Sequence, residues 1–151
     1  MQSGRYKMRL VTIGMAILII LFHAVGYAEY LTVQVPSANV RSGPAPGSDL
    51  LWRVEKYHPL DIIEKKGDWY RFRDFEGDEG WIHKSLVSNV SGVIIKKDKT
   101  NIRSGPDAKS NIVFTVEKGV PFKVVSKKGQ WLEVEHADGD RGWINAAVVW
   151  P

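Results

Sequence analysis

The 151-residue chain contains no cysteine. That absence excludes disulfide staples, a thiol nucleophile and a lipid-modified cysteine, so the folded body must be held together by burial alone. Helical patterning is lacking too. Beyond the first segment the apolar residues come in short β-branched and aromatic runs broken by Gly, Pro and Asp, which predicts an all-β body. An excess of one charge is also lacking. Residues 1–28 hold three basic and no acidic side chains, which leaves 18 Lys and Arg against 17 Asp and Glu, a net of +1. A body without a basic surplus has little to drive it onto a phosphate backbone, so nucleic acid is not an expected partner.

The one long hydrophobic run lies at the start. Arg5, Lys7 and Arg9 precede an apolar stretch over 10–26, and Gly26-Tyr27-Ala28 stands before Glu29. A basic head, an apolar middle and small residues at the end predict a signal peptide over 1–28, cleaved after Ala28. Left uncleaved, the same run is long enough to serve as a membrane anchor, the only expected membrane contact. Either outcome places the rest outside the cytoplasm, in a periplasm or cell envelope.

A shift of 62 positions aligns the chain with itself without a gap. Asn39-Val40-Arg41-Ser42-Gly43-Pro44 falls on Asn101-Ile102-Arg103-Ser104-Gly105-Pro106, Lys66-Gly67 on Lys128-Gly129, Trp69 on Trp131, and Gly80-Trp81-Ile82 on Gly142-Trp143-Ile144. Several separate blocks in one register mark a duplication. The expected division is 29–88 and 93–151, joined by a short polar linker at 89–92. About five strands are expected in each unit: 30–35, 51–55, 60–65, 69–74 and 80–83, then 93–96, 112–116, 122–126, 131–136 and 142–145. Glu76-Gly77 and Asp138-Gly139 supply hairpin turns. Units this small bury little, which favours a barrel with few open edges.

The three motifs, Asn-x-Arg-Ser-Gly-Pro, Lys-Gly-x-Trp and Gly-x-x-Gly-Trp-Ile, occur in that order in each unit, and their arrangement resembles the bacterial SH3-like (SH3b) domain family over about 33–88 and 94–150. The resemblance implies two tandem small SH3-like β-barrels used for recognition of peptidoglycan, its peptide stems or envelope proteins. Members often sit beside a cell-wall hydrolase, but the two units account for residues 29–151, so a catalytic domain is not expected within them. The Pro and Tyr that line the proline-peptide groove of the eukaryotic version are replaced by His83 and Leu86, or Asn145 and Val148, so Pro-x-x-Pro binding is not expected.

Strand parity picks out candidate ligand residues. Tyr70 and Phe72, like Leu132 and Val134, form an apolar face, which puts Trp69 with Arg71 and Arg73, and Trp131 with Glu133 and Glu135, on the other. A Trp on a charged face either stacks on a peptide or sugar or packs against the neighbouring unit. The Arg-to-Glu reversal predicts opposite potentials beside the two Trp residues, in line with units whose net charges are −2 over 29–91 and +3 over 92–151. Arg41 and Arg103 fix the first loop or contribute to binding. Trp81 and Trp143 pack, or complete a groove. Trp52 and Phe114 read as core, and Trp150 as a plug for the second barrel.

Nothing in the sequence spells out catalysis. Ser42 and Ser104 recur without a recurring His, and His58, His83 and His136 are replaced by Val120, Asn145 and Asp74 in the other unit, which reads as isolated surface imidazoles. The acidic hairpins lack a calcium-ligand ladder, and a filled barrel has no cleft for paired carboxylates. The expectation is a non-enzymatic binding protein without metal or cofactor, recognising peptidoglycan or peptides. An adaptor for an envelope protein and a membrane-anchored sensor are the alternatives. The oligomeric state is left open.

Overall fold

The computed structural model describes residues 26–151. The expected signal peptide or anchor therefore lies almost wholly outside the described residues. The rest is all-β, in two units of the same design. The first comprises β1 (Glu29–Val33), β2 (Ser37–Arg41), β3 (Leu50–Glu55), β4 (Pro59–Lys66), β5 (Trp69–Arg73), β6 (Glu79–His83) and β7 (Val87–Ser88). The second comprises β8 (Gly92–Ile95), β9 (Thr100–Arg103), β10 (Ile112–Val116), β11 (Pro121–Lys128), β12 (Trp131–Glu135), β13 (Arg141–Asn145) and β14 (Val149–Trp150). One turn of 3-10 helix precedes each last strand, at Lys84–Leu86 and Ala146–Val148.

Each unit therefore has seven strands where about five were expected. The additional ones are β2 and β9, built from the Asn-x-Arg end of the first motif, and the two-residue strands that close each unit. Ala38 and Val40 point inward from β2 while Ser37, Asn39 and Arg41 do not, an alternation too short to stand out against the Ser-Gly-Pro turn that follows. The strand orders are β3-β2-β6-β5-β4-β1-β7 and β10-β9-β13-β12-β11-β8-β14, the same topology twice. Matching register shifts at Ile62/Glu64 in β4 and Val124/Ser126 in β11 mark bulges, which sharpen the twist that curls each sheet around its core.

The two cores correspond position by position but not in residue size. Phe72 in the first unit corresponds to Val134, while Leu60 corresponds to Phe122, all four essentially inaccessible. Each core thus keeps one large buried ring and moves it to a different strand, a compensating exchange that conserves volume. Trp52 and Phe114 pack on these cores as expected, with the Trp52 ring edge-on to Phe72 at 6.3 Å.

The units meet where β8 packs against β4 and against Thr32 on the outward face of β1. Thr32 is 2% exposed, and Ile94 is 0% exposed although it is not part of its own unit's core cluster. A Cβ added to Gly92 would lie 2.6 Å from the Tyr57 carbonyl oxygen and 2.8 Å from Thr32, so the absence of a side chain here lets the two backbones approach closely. Expected to end a linker, Gly92 instead opens β8, and only residues 89–91 join the two sheets. Tyr57 holds φ at 71°, where the second unit has Gly119 at 89°. Strain at a bulky residue persists only where its surroundings fix it, and here the Tyr57 ring lies 5.9 Å from Lys123 Nζ across the seam. Lys118 Nζ also crosses, to Glu76 Oε1 at 2.9 Å and over the Phe75 ring.

Candidate functional site

The first motif builds one wall of a groove. Arg41, at the end of β2, donates from Nη1 to the Ser48 carbonyl at 3.0 Å, and Arg103 does the same to Ser110 at 2.8 Å. Each guanidinium thereby closes the loop that follows its strand, and four further N–H groups remain on it. Asn39, two residues earlier and on the same face, accepts from Arg53 Nε at 3.0 Å, and Asn101 accepts from Thr115 Oγ1 at 3.2 Å.

The opposite wall comes from the second and third motifs. Trp69 and Trp131 are half-buried at the starts of β5 and β12, directly opposite His83 and Asn145 on the neighbouring strands. The Trp69 and His83 rings meet edge to face, with centroids 5.3 Å apart. His83 and Asn145 cap the 3-10 turns: His83 Nδ1 accepts from the Ser85 amide at 3.3 Å and lies 2.7 Å from Ser85 Oγ, and Asn145 Oδ1 accepts from the Ala147 amide at 2.9 Å. The acid beside the platform, Asp68, is bound by Lys84 at 2.7 Å, and that ammonium holds its carboxyl below the usual range.

Between these walls lies a groove of about 570 Å³ in the first unit and about 280 Å³ in the second. The linings correspond through the 62-residue shift: Ser37 with Lys99, Ala38 with Thr100, Asn39 with Asn101, Arg41 with Arg103, Pro46 with Ala108, Trp69 with Trp131, His83 with Asn145, and Leu86 with Val148. Arg53 is added in the first groove and Lys97 in the second.

Of the ten residues singled out in the sequence, Trp69, Trp131, Arg41 and Arg103 line the grooves. The other six stand beside them. Trp81 pairs with Arg71 and Arg41 across the strands, and Trp143 with Glu133 and Arg103, in both cases outside the core clusters. Arg71 and Arg73 share Glu79, the latter at 2.9 Å, and these guanidinium groups, Arg73 foremost, pull the Glu79 carboxyl below its usual range. Glu135 is bound by Arg141 and by Lys123 at 3.3 Å, and its carboxyl is likewise lowered, chiefly by Arg141. Glu133 accepts from Ser126 Oγ at 2.7 Å. The Arg-to-Glu reversal on β5 and β12 is thus matched by a Glu-to-Arg reversal at 79 and 141, and the charges answer one another within each sheet.

Sequence reasoning passed over Asn39, Arg53, His83 and Leu86 in the first groove and Lys97, Lys99, Asn101, Asn145 and Val148 in the second. Asn39 and Asn101 stood in the repeated motif, and His83 was set aside because Asn145 replaces it, although both fill one capping position. The expectation of surface imidazoles fails at His58. Its Nε2 is buried without a partner, in a concavity of about 410 Å³ at the seam that Phe75 and Lys118 also line. Burial lowers its pKa, with the Asp74 carboxylate acting in the other direction. Trp150 was expected to plug the second barrel; it pairs with Ile94 in β14, and its indole turns to Tyr30 of the first unit. Among the described residues no group of three or more His, Asp or Glu side chains converges as a metal site.

The profile of the bacterial SH3 domain matches residues 34–89 and again 96–151. A segment of 61 residues, 40% of this chain, is 36% identical to the probable cell wall amidase LytH of Staphylococcus epidermidis and covers 21% of that protein. Over 134 residues, 78% of this chain, the identity to the putative N-acetylmuramoyl-L-alanine amidase YrvJ of Bacillus subtilis is 25%, covering 26% of that protein. The chain thus spans about a fifth to a quarter of the length of these relatives. Among solved structures, an NlpC/P60 family protein from Bacillus cereus aligns with a TM-score of 0.38 at 15% identity, over 81% of this chain and 56% of that one.

Proposed function

Since the chain belongs to the bacterial SH3 domain family, as two tandem members in one polypeptide, we propose that it is a non-catalytic, exported binding protein that holds cell-wall peptidoglycan through its two equivalent grooves. The observation that carries this reading is the duplicated groove: eight corresponding lining positions, a Trp wall and an Arg-anchored loop occur at the same places in both units. Core duplication needs only the inward residues, whereas Asn39, Arg41 and Trp69, repeated as Asn101, Arg103 and Trp131, lie outside both core clusters. Relatives named as cell wall amidases share this segment as a minor part of their length, which supports a role in holding the wall rather than cutting it. Two grooves in one docked body also suit a polymeric ligand, because binding by the first raises the effective concentration for the second.

The test is co-sedimentation with purified sacculi. The parent protein is expected in the pellet, and a Trp69→Ala/Trp131→Ala variant with an unchanged circular dichroism spectrum is expected in the supernatant. A parent that stays in solution, or a folded double variant that pellets equally, overturns the reading.

A second reading, an adaptor for another envelope protein, rests on a separate feature. Leu50 and Leu51 on β3 are 45% and 48% exposed, and their counterparts Ile112 and Val113 on β10 are 52% and 53% exposed. Both strands end their sheets, and an apolar sheet edge is a site for pairing with another chain. Site-specific photocrosslinking from position 51 in intact cells would capture such a protein, and crosslinks only to the wall would exclude it.

A further inference from the structure

The two grooves differ in most side chains and yet agree in hydrogen-bond polarity. In the first, Arg41, Arg53 and His83 surround Trp69, and in the second Lys97, Lys99 and Arg103 surround Trp131. Neither lining contains a carboxylate. This holds even in the first unit, where acidic side chains outnumber basic ones by two over 29–91. Several of those acids are paired outside the groove lining: Glu79 with Arg71 and Arg73, Asp68 with Lys84, Glu76 with Lys118 across the seam.

Most polar groups in the grooves sort the same way; the exception, Thr100, spends its hydroxyl proton on the Lys97 carbonyl at 2.6 Å and is buried. The amide oxygens of Asn39 and Asn101 are already taken, by Arg53 Nε and by Thr115 Oγ1. The acceptors of His83 and Asn145 are both spent on the 3-10 turns. A neutral His83 whose Nδ1 accepts carries its proton on Nε2, and Asn145 keeps its NH₂, so two chemically unlike residues leave a donor at one position. The unspent N–H groups of Arg41, Arg53 and Arg103, the lysine ammonium groups and the indole N–H add further donors. A site that consumes its acceptors and keeps its donors matches a ligand made of acceptors, and one beside an aromatic plane matches an anion attached to something flat or apolar.

We infer that each groove is a carboxylate-recognition site for a peptide, held by the basic side chains while the adjoining chain lies on the Trp. The inference rests on the wall-binding reading only for where such a peptide is met. A peptide carboxylate fits better than a polyphosphate chain. The cations in each groove are few and are interleaved with Trp, Asn and a Leu or Val, which suits one charge at a time next to amide and apolar surface.

The experiment measures binding of the protein to two ligands, each with its carboxyl groups free and amidated. The ligands are purified sacculi, read by sedimentation, and the soluble stem peptide L-Ala-γ-D-Glu-L-Lys-D-Ala-D-Ala, read by tryptophan fluorescence. Amidation is expected to weaken binding at least tenfold. Arg53→Thr and Lys99→Ser each introduce a residue of the kind the other unit already carries, at Thr115 and Ser37. Both are therefore expected to fold, to bind the free acid several-fold more weakly, and to show a shallower salt dependence.

If amidation weakens binding to neither ligand, the inference is overturned. If in that case sacculi still bind, the wall reading survives without it. If the peptide discriminates and sacculi do not bind, the inference stands and the wall reading falls. Loss of sacculus binding on removal of phosphodiester polymers, with no loss on amidation, assigns the grooves to a phosphate ligand and overturns the carboxylate.

Discussion

The ring of Tyr30 in β1 meets the indole of Trp150 in β14 edge to face, with centroids 5.4 Å apart and planes at 87°. The contact joins the first strand of one unit to the last strand of the other. With Gly92 pressed against Thr32 and Lys118 reaching Glu76, it turns two barrels with a three-residue connection into one docked body. That matters for binding, because two grooves reinforce each other only when their spacing is held.

The seam predicts coupled unfolding. The parent is expected to lose its structure in a single urea transition, coincident by circular dichroism and tryptophan fluorescence. Trp150→Ala lowers the midpoint and separates the two units' transitions. In a double-mutant cycle with Tyr30→Ala the coupling between the rings is expected at about 0.5–1.5 kcal/mol. Zero coupling with an unchanged single transition would mean that the rings touch without linking the units.

How far these features can be read from the sequence depends on whether they are local. The core positions of β5 and β12 follow from strict alternation, and the hairpin glycines are where the pairs Glu76-Gly77 and Asp138-Gly139 put them, at φ values of 92° and 100°. β2 was hidden because its three outward residues, Ser37, Asn39 and Arg41, are polar and only Ala38 and Val40 mark the strand. The grooves were half legible: Trp69 and Arg41 stood out, but Arg53 comes from β3 and His83 from β6, and only the folded sheet brings them together. The seam was illegible. Thr32 and Ile94 occupy outward positions that become buried only when the second unit is docked, and neither periodicity nor the repeat carries that information.

The glycine of Gly-Trp-Ile has a packing reason in each unit. A Cβ at Gly80 would sit 2.3 Å from Val40 Cγ1, and one at Gly142 would sit 2.4 Å from Ile102 Cγ2 and 2.9 Å from the Arg103 carbonyl oxygen. Gly80→Ala is expected to cost about 1–3 kcal/mol in chemical denaturation, the usual range for overpacking a core. Gly142→Ala is expected to cost more, because a backbone carbonyl yields less readily than a side-chain methyl. Equal and negligible losses would show that the sheets relax around the added methyl.

Arg41 and Arg103 hold the loops that follow β2 and β9, through Ser48 and Ser110. Lysine keeps the charge but not the planar fork, so Arg103→Lys is expected to speed amide exchange in the 104–111 loop and to cost about 1 kcal/mol, the scale of one hydrogen bond. Exchange in the equivalent 42–49 loop of the same variant supplies the internal control. Unchanged exchange at 104–111 would leave Arg103 with a ligand role alone.

The last prediction concerns His58, whose buried Nε2 lacks a partner and whose pKa burial lowers from the ordinary value of 6.5. In the unfolded chain the imidazole takes a proton near pH 6.5; in the folded protein it resists until the pH is lower. Folding therefore excludes a proton over that window. The associated stability is fully present above about pH 6.5 and is lost as the pH falls toward the folded value, at no more than about 1.4 kcal/mol per pH unit. The second unit carries Val120 at this position, half-buried against its own core, so His58→Val introduces a residue the fold already accommodates. The variant is expected to be about 1 kcal/mol more stable at pH 7, because no orphaned ring nitrogen is buried, and the gap is expected to widen between pH 7 and pH 5. His83 and His136 are common to both proteins and cancel in the difference. Parallel stability curves for parent and variant across that range would show that His58 gains a proton as readily folded as unfolded, and that the seam concavity admits water to it.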